Sequence, residues 1–187
     1  VRLPGPDLLG PLFGLSEIAL SIFKRSGQDS LNEDRRSLRL LWTVILGSVA
    51  FAVMAASVLP QAHSRLLEIL YPLGLALFVL GLVLRWYAIV HLGRFFTVDV
   101  AIASDHRVVD DGPYRYVRHP SYTGVILAFI GYGICLGNWV SLLAVTVPVA
   151  WVFIRRIEIE EAALRASLGE SYVAYVRQSK RLVPFVY

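Results

Sequence analysis

Two short stretches gather the residues able to do polar chemistry. Gly112 to Gly124, GPYRYVRHPSYTG, sets Arg115, Arg118, His119 and three tyrosines ahead of a long uncharged run. Pro120 has no backbone N–H and is tolerated in the first turn of a helix, while the residue before a proline is pushed out of helical geometry. The order therefore predicts His119 held extended at a helix entrance. Unpaired N–H groups and the positive end of the helix dipole there, together with Arg118 and His119, suit an anion. The same residues equally suit a basic anchor and an aromatic belt at a membrane surface. The second stretch, RRIEIEEAALRASLGESYVAY, begins at Arg155. On a helix, Arg156 and Glu160 lie one turn apart, as do Glu161 and Arg165, the spacing of surface ion pairs. Yet this helix runs directly out of an uncharged span, which puts Arg156 and Glu160 at a membrane boundary, where charge is costly and often functional.

The elements that must position these residues are apolar. Hydrophobic residues make up 56% of the 187 and charged residues 17%, and mean hydropathy is +0.60, outside the usual range of soluble domains. A hydrocarbon core about 30 Å thick needs roughly 20 apolar residues per helix, with about 17 still acceptable. On that ruler five spans emerge, near 8–23, 40–59, 69–90, 120–137 and 139–154. Leu40 to Leu59 is free of charge and ends at a proline. The third span carries Arg85 beside Trp86 and Tyr87, which reads as a snorkelling interface anchor. Pro120 to Ile154 is a charge-free run too long for one helix and long enough for two short ones, broken at Gly137-Asn138. Leu8 to Phe23 contains Glu17 and reads as a span or as an amphipathic helix lying in the interface.

With five spans, 16 of the 18 Lys and Arg residues fall on one side, only Arg2 and Arg65 on the other. The positive-inside rule then puts the carboxyl tail and the polar chemistry in the cytoplasm and the amino end outside. The net charge of +4 is thereby a topology signal and a possible contact to anionic lipid, and nucleic acid is not an expected partner. Cys135, the sole cysteine, sits in an apolar span and reads as packing. The chain begins at Val1, as a processed or trimmed start would, and shows no cleavable signal peptide or internal repeat; residues 1–187 read as one domain. Residues 91–124 and 155–187 depart from the apolar pattern. Within the first, Thr97 to Ile102 alternates weakly and Asp110-Asp111-Gly112-Pro113 is a turn signal. The expected fold is therefore an all-α integral membrane protein of about five transmembrane helices, with a cytoplasmic catalytic cap and a C-terminal helix.

GPYRYVRHPSYTG, preceded by LRWYAIVHLGRFFT and followed, after a helical hairpin, by RIEIEEAALRASLGESYVAYVRQSKRLVPFVY, resembles the isoprenylcysteine carboxyl methyltransferase family over roughly Leu80 to Tyr187. A lone Arg-His-Pro does not carry this resemblance, because phospholipid methyltransferases and some membrane sterol reductases have similar elements. The resemblance implies an integral membrane enzyme that uses S-adenosylmethionine. It implies a cofactor pocket built from His106, Arg107, Val108, Val109, Tyr114, His119, Pro120, Ser121 and Tyr122, with Glu160 as a cofactor-contacting carboxylate and Arg156 as the arginine that meets the substrate. Arg156 and Glu160 are the expected catalytic pair. Asp99 stands where eukaryotic relatives place a neutral polar cofactor contact. The amino-terminal third carries no family signature.

The residue types suit that chemistry. Methyl transfer from a sulfonium to a carboxylate neutralises opposite charges, so it needs alignment and water exclusion rather than a strong base or a metal. Arg156 would hold the acceptor carboxylate, which a guanidinium orients as lysine cannot. Glu160 would position a polar or cationic part of the cofactor, and the His119–Pro120 entrance would receive its methionine carboxylate. A prenylated or similarly amphipathic acid would reach the site laterally from the bilayer, in an inner membrane if the source is prokaryotic and the endoplasmic reticulum if eukaryotic. The alternatives are N-methylation of a phospholipid amine, with Glu158, Glu160 or Glu161 as base, and a non-catalytic membrane scaffold.

Overall fold

A computed structural model describes residues 3–23, 32–96 and 107–187. Seven α-helices form among them: α1 (Pro6–Phe23), α2 (Asn32–Val58), α3 (Arg65–Ile69), α4 (Tyr71–Leu92), α5 (Pro120–Cys135), α6 (Trp139–Leu168) and α7 (Glu170–Gln178). No strand forms among the described residues beyond two isolated bridges, His63 with Asn138 and Val117 with Lys180. Each of the five expected segments overlaps a long helix: 8–23 and 139–154 lie inside α1 and α6, whereas α2 ends at Val58, α4 starts at Tyr71 and α5 ends at Cys135. Among the described residues, three segments are long and apolar enough to cross a membrane: Arg36–Val58, Tyr71–Phe95 and Trp139–Leu168. α5 is a shorter apolar helix of 16 residues, about 24 Å long at 1.5 Å per residue.

α4 packs along α5, and α2 along α6. Between apolar helices in lipid the association is driven by close packing rather than by water exclusion. The α4–α5 seam shows how close. A Cβ on Gly81 would stand 2.5 Å from the Gly124 carbonyl oxygen, and a Cβ on Gly124 would stand 2.7 Å from the Arg85 backbone nitrogen. Glycine at both positions thus locks the first turns of α5 against the last turns of α4. Phe78, Phe129, Val145, Val149 and Phe153 fill the space between the helices, and α1 joins through Leu9 and through Phe13, whose ring lies 4.7 Å from that of Phe129.

The break at Gly137-Asn138 is present and does more than end a helix. Gly137 takes φ +66°, and Asn138 caps α6 by accepting from the Ser141 amide at 3.1 Å. Its Nδ2 donates to the Leu59 carbonyl at 3.0 Å, and Ser141 Oγ donates to Ala52 at 2.6 Å. One amide and one hydroxyl therefore tie the start of α6 to the end of α2.

Arg85 is not the snorkelling anchor its neighbours suggest. Its side chain is buried and its Nη2 donates to Glu17 Oε2 at 2.6 Å, while Trp86 Nε1 donates to Ser16 at 2.8 Å. The partner was concealed because it lies on α1, far away in sequence. Leu8, Leu12, Leu15, Ile18 and Ile22 of α1 face outward.

Candidate active site

The helix entrance forms as Pro120 dictates. His119 is the residue before α5, at φ −124° and ψ 57°, and its carbonyl accepts from the Tyr122 and Thr123 amides at 3.1 Å. The carboxyl-terminal segment is laid against this entrance by backbone bonds. Lys180 donates to Tyr116 at 3.1 Å, Arg118 donates to Lys180 at 2.7 Å, and His119 donates to Arg181 at 3.0 Å. Thr123 Oγ1 adds a bond to the Leu182 carbonyl at 2.7 Å.

Glu161 organises the side chains behind the entrance. It is 0% exposed; Oε1 accepts from Arg118 Nε at 2.9 Å, and Oε2 accepts from Arg165 Nη2 and Arg181 Nη2, both at 3.1 Å. His119 Nε2 lies 3.5 Å from Oε1. Arg118 Nη1 also donates to the Val176 carbonyl at 3.3 Å and to the Ser179 carbonyl. The expected Glu161–Arg165 pair forms, but as one spoke of a buried hub rather than as a surface pair. Burying a carboxylate costs several kcal/mol, which only matching charges and hydrogen bonds offset.

Glu160, one residue earlier, points elsewhere. Its side chain is 29% exposed and its Oε2 lies 3.8 Å from His119 Nδ1, so the two adjacent carboxylates flank one imidazole. Tyr122 Oη donates to Glu160 Oε2 at 2.8 Å. The Tyr122 ring stacks on His119 at 5.5 Å and 6°, and tilts against Phe153 at 5.0 Å. Arg156 is 3% exposed; its Nη1 donates to Ser37 Oγ of α2 at 3.2 Å, and its charge acts on the Tyr122 phenol. Tyr122 thus bonds one of the two residues expected to be catalytic, Glu160, and feels the charge of the other, Arg156.

Beside this cluster opens a cleft walled by both polar and apolar side chains. Six expected cofactor residues line it: Arg107, Val108, Val109, Tyr114, His119 and Glu160. Leu92, Arg118, Leu164, Leu168, Tyr172 and Tyr175 complete the wall. Pro120 and Ser121 are buried in the first turn of α5, and Tyr122 and Arg156 stand on the Glu160 side as described. His106 and Asp99 lie outside the described residues, as does the segment Thr97–Ile102.

The cleft has chemistry left to offer a polar ligand. Tyr172 Oη is buried without a hydrogen-bond partner, and His119 Nε2 has none within bonding distance. Burial first, then the nearby Glu161 and Glu160 charges, pushes the Tyr172 phenol well above its ordinary value. Burial and the Glu160 charge do the same to Tyr114, whose Oη donates to the Ala88 carbonyl at 3.2 Å. Tyr175, raised chiefly by burial, donates to the Tyr114 carbonyl at 2.6 Å. These phenols stay protonated and act as donors. A mixed wall with an orphaned donor, a partly exposed carboxylate and apolar side chains fits S-adenosylmethionine, which brings a carboxylate, a cationic centre and a planar base.

The sequence reading missed Tyr172 and Tyr175 as lining residues. Their three-residue spacing on a helix was the available signal, since it places both on one face.

All-helical membrane architecture with a polar cleft at one end of α5 and α6 defines the class. Residues 74–166 match the model of the isoprenylcysteine carboxyl methyltransferase family, and over that region the chain is similar to proteins that carry its name. It is 38% identical over 115 residues to protein-S-isoprenylcysteine O-methyltransferase B of Arabidopsis thaliana, covering 60% of this chain and 58% of that one. Against the protein-S-isoprenylcysteine O-methyltransferase of Schizosaccharomyces pombe it is 39% identical over 115 residues, covering 60% and 49%. The matched stretch therefore spans roughly half of these relatives. A solved structure of the eukaryotic intramembrane Ras methyltransferase, isoprenylcysteine carboxyl methyltransferase, superposes with a TM-score of 0.64 at 32% identity, over 77% of this chain and 52% of that one.

Proposed function

We propose that this protein methylates the carboxylate of an isoprenylcysteine or similar lipid-linked acid, using S-adenosylmethionine bound in the cleft. When bound, S-adenosylmethionine supplies a sulfonium methyl: the acceptor oxygen forms the new C–O bond, the C–S bond breaks with its electron pair going to sulfur, and S-adenosylhomocysteine and a methyl ester result. The observation that carries the reading is the chain of contacts from cleft to membrane: His119 stacked on Tyr122, and Tyr122 bonded to Glu160 with the Arg156 charge acting on its phenol. Glu160 and Tyr172 would hold the donor, and the Arg118–His119 entrance would receive its carboxylate. Arg156, held by Ser37, would orient the acceptor carboxylate, already ionised at neutral pH, so no base is needed. The apolar walls of Leu92, Leu164 and Leu168 would exclude water. Burial of the polar end between helices supports a lipid-borne acceptor, and the excess of Lys and Arg supports a cytoplasmic face for it.

The test uses purified protein in lipid nanodiscs with methyl-labelled S-adenosylmethionine and an N-acetylated S-farnesylcysteine. The expected product releases labelled methanol in base, as a methyl ester does. Arg156→Ala should lower turnover about a hundredfold, or about 2.7 kcal/mol of transition-state stabilisation, with donor affinity within about twofold of wild type. Base-stable label in the lipid fraction would instead mark N-methylation, and a folded protein that binds no donor would defeat methyl transfer altogether.

A further inference from the structure

Residues 179–187 carry a surface that takes no part in the proposed transfer. They run beside the chain entering α5 and in the same direction. Val117 and Lys180 form a parallel bridge, Arg118 and His119 donate their amides to Lys180 and Arg181, and Thr123 Oγ1 continues the series onto the Leu182 carbonyl. The segment therefore reaches the first turn of α5, where the charge-free run begins. There it folds back, with the Leu182 and Val183 amides both donating to the Tyr187 carbonyl at 2.7 Å.

What this turn presents is apolar. Val183, Phe185 and Val186 are exposed, Phe185 by 84% and Val186 by 75%. Phe185 takes φ +66° and is the sole non-glycine among the described residues at positive φ, a conformation uncommon for a bulky side chain. Packing within the chain gains nothing from a phenyl ring held outward on such a backbone, and exposed apolar clusters mark interaction sites. Tyr187 fixes the turn in place: its Oη accepts from Arg181 Nη1 at 3.0 Å, and Arg181 Nη2 donates to Glu161 at 3.1 Å.

The rim of the turn is basic. Neither 112–124 nor 171–187 contains an acidic residue. Arg118 and Arg181 are engaged by Glu161, whereas Arg115, Arg177 and Lys180 are exposed and form no ion pair among the described residues. An apolar tip ringed by such cations is complementary to one boundary, acyl chains below and anionic phosphates above. An acidic protein surface would match the cations and leave Phe185 and Val186 in water. An apolar one would cover the ring and strand the cations.

We propose that residues 183–187 insert into the bilayer interface and that Arg115, Arg177 and Lys180 bind the phosphates of anionic phospholipid around them. The same segment is bonded to Arg118 and His119, so the lipid contact braces one wall of the cleft from outside. This rests on the membrane placement of α5 and on no step of methyl transfer.

Two measurements on the full chain in nanodiscs of mixed phosphatidylcholine and phosphatidylglycerol test the contact. In the first, Cys135 is replaced by alanine and a nitroxide is attached at Phe185→Cys or, as the aqueous reference, at Ser171→Cys, an exposed position on α7. Collisions with oxygen, which concentrates in lipid, are compared with collisions with a water-soluble nickel chelate. Insertion to the depth of the headgroup and acyl boundary should raise the oxygen-to-chelate ratio about fivefold at Phe185→Cys over Ser171→Cys. Equal ratios would overturn the proposal, and so would a label that neither collider reaches, because protein would then cover the tip. The second compares retention of spin-labelled phosphatidylglycerol with that of spin-labelled phosphatidylcholine. In Arg115→Gln/Arg177→Gln/Lys180→Gln the preference for the anionic lipid should fall about fivefold from wild type, or about 1 kcal/mol. All three positions are exposed, so the variant should unfold at the wild-type temperature. A folded triple variant that keeps the wild-type lipid preference would overturn the phosphate contact and the proposal with it.

Discussion

The two ends of α6 face the same problem, backbone and side-chain polar groups that must be satisfied inside a packed helical bundle, and solve it with different chemistry. At the Asn138 end a neutral amide and a hydroxyl bond to α2 carbonyls, and no charge is buried. At the Glu161 end one carboxylate gathers Arg118, Arg165 and Arg181 and approaches His119. Neutral groups suffice to hold helices together, since each net hydrogen bond contributes about 1 kcal/mol without the cost of dehydrating an ion. The charged end costs more than the task of packing demands. What it achieves besides packing is to fix the entrance of α5, the carboxyl-terminal segment and α7 as one wall of the cleft.

The sharpest break of that contrast is at Glu161. Glu161→Ala leaves three guanidinium groups around an empty position and should cost about 3–5 kcal/mol of stability, read as loss of the thermal unfolding transition at its wild-type position, with donor binding lost as well. Glu160→Gln, next in sequence but partly exposed and bonded to Tyr122, should cost only about 1 kcal/mol while still weakening the donor. Equal destabilisation by the two would mean that the buried hub is not the organising element.

The neutral end supplies the intermediate case. Asn138→Ala removes the α6 cap and the donor to Leu59, for an expected loss of about 1–2 kcal/mol. Donor affinity measured by calorimetry should be unchanged, because Asn138 lies at the opposite end of α6 from the cleft. A change in donor affinity here would show that the two ends are coupled through the helix rather than independent.

How far these two ends were legible in the sequence follows from the range of their contacts. Pro120 acts on its immediate neighbour and Gly137-Asn138 on the chain beside it, so the α5 entrance and the hairpin break could be read directly. Glu161–Arg165 could be read because helix geometry relates residues four apart. Arg118 and Arg181 could not be attached to Glu161, nor Arg85 to Glu17, because periodicity reports a face and not what packs on it. Arg85 beside Trp86 and Tyr87 had the composition of an interface anchor; only the placement of α1 turns it inward. The expected cofactor residues Arg107, Val108, Val109, Tyr114, His119 and Glu160 came from the family resemblance, and the cleft brings those six together. Tyr172 and Tyr175 entered through the fold, when the backbone bonds between 116–119 and 180–181 drew α7 over the cleft.

An exposed charge pair completes the series and should matter least. His91 Nε2 lies 2.7 Å from Asp111 Oδ1, with the Asp111 side chain 77% exposed. The hydrogen bond from His91, followed by its charge and that of Arg107, holds the Asp111 carboxyl below its ordinary range. A carboxyl depressed in the folded state binds fewer protons there than in the unfolded chain. Its stabilising contribution is therefore present above the ordinary carboxylate value near 4 and disappears as pH falls through the lowered one. Water screens such a pair, and surface pairs contribute little. Asp111→Asn should accordingly leave the unfolding temperature almost unchanged at neutral pH and remove only a small part of its decline in acid. If that substitution instead destabilised as strongly as Glu161→Ala, depth in the bundle would not be what separates a costly charge from an incidental one, and the contrast between the ends of α6 would need another cause.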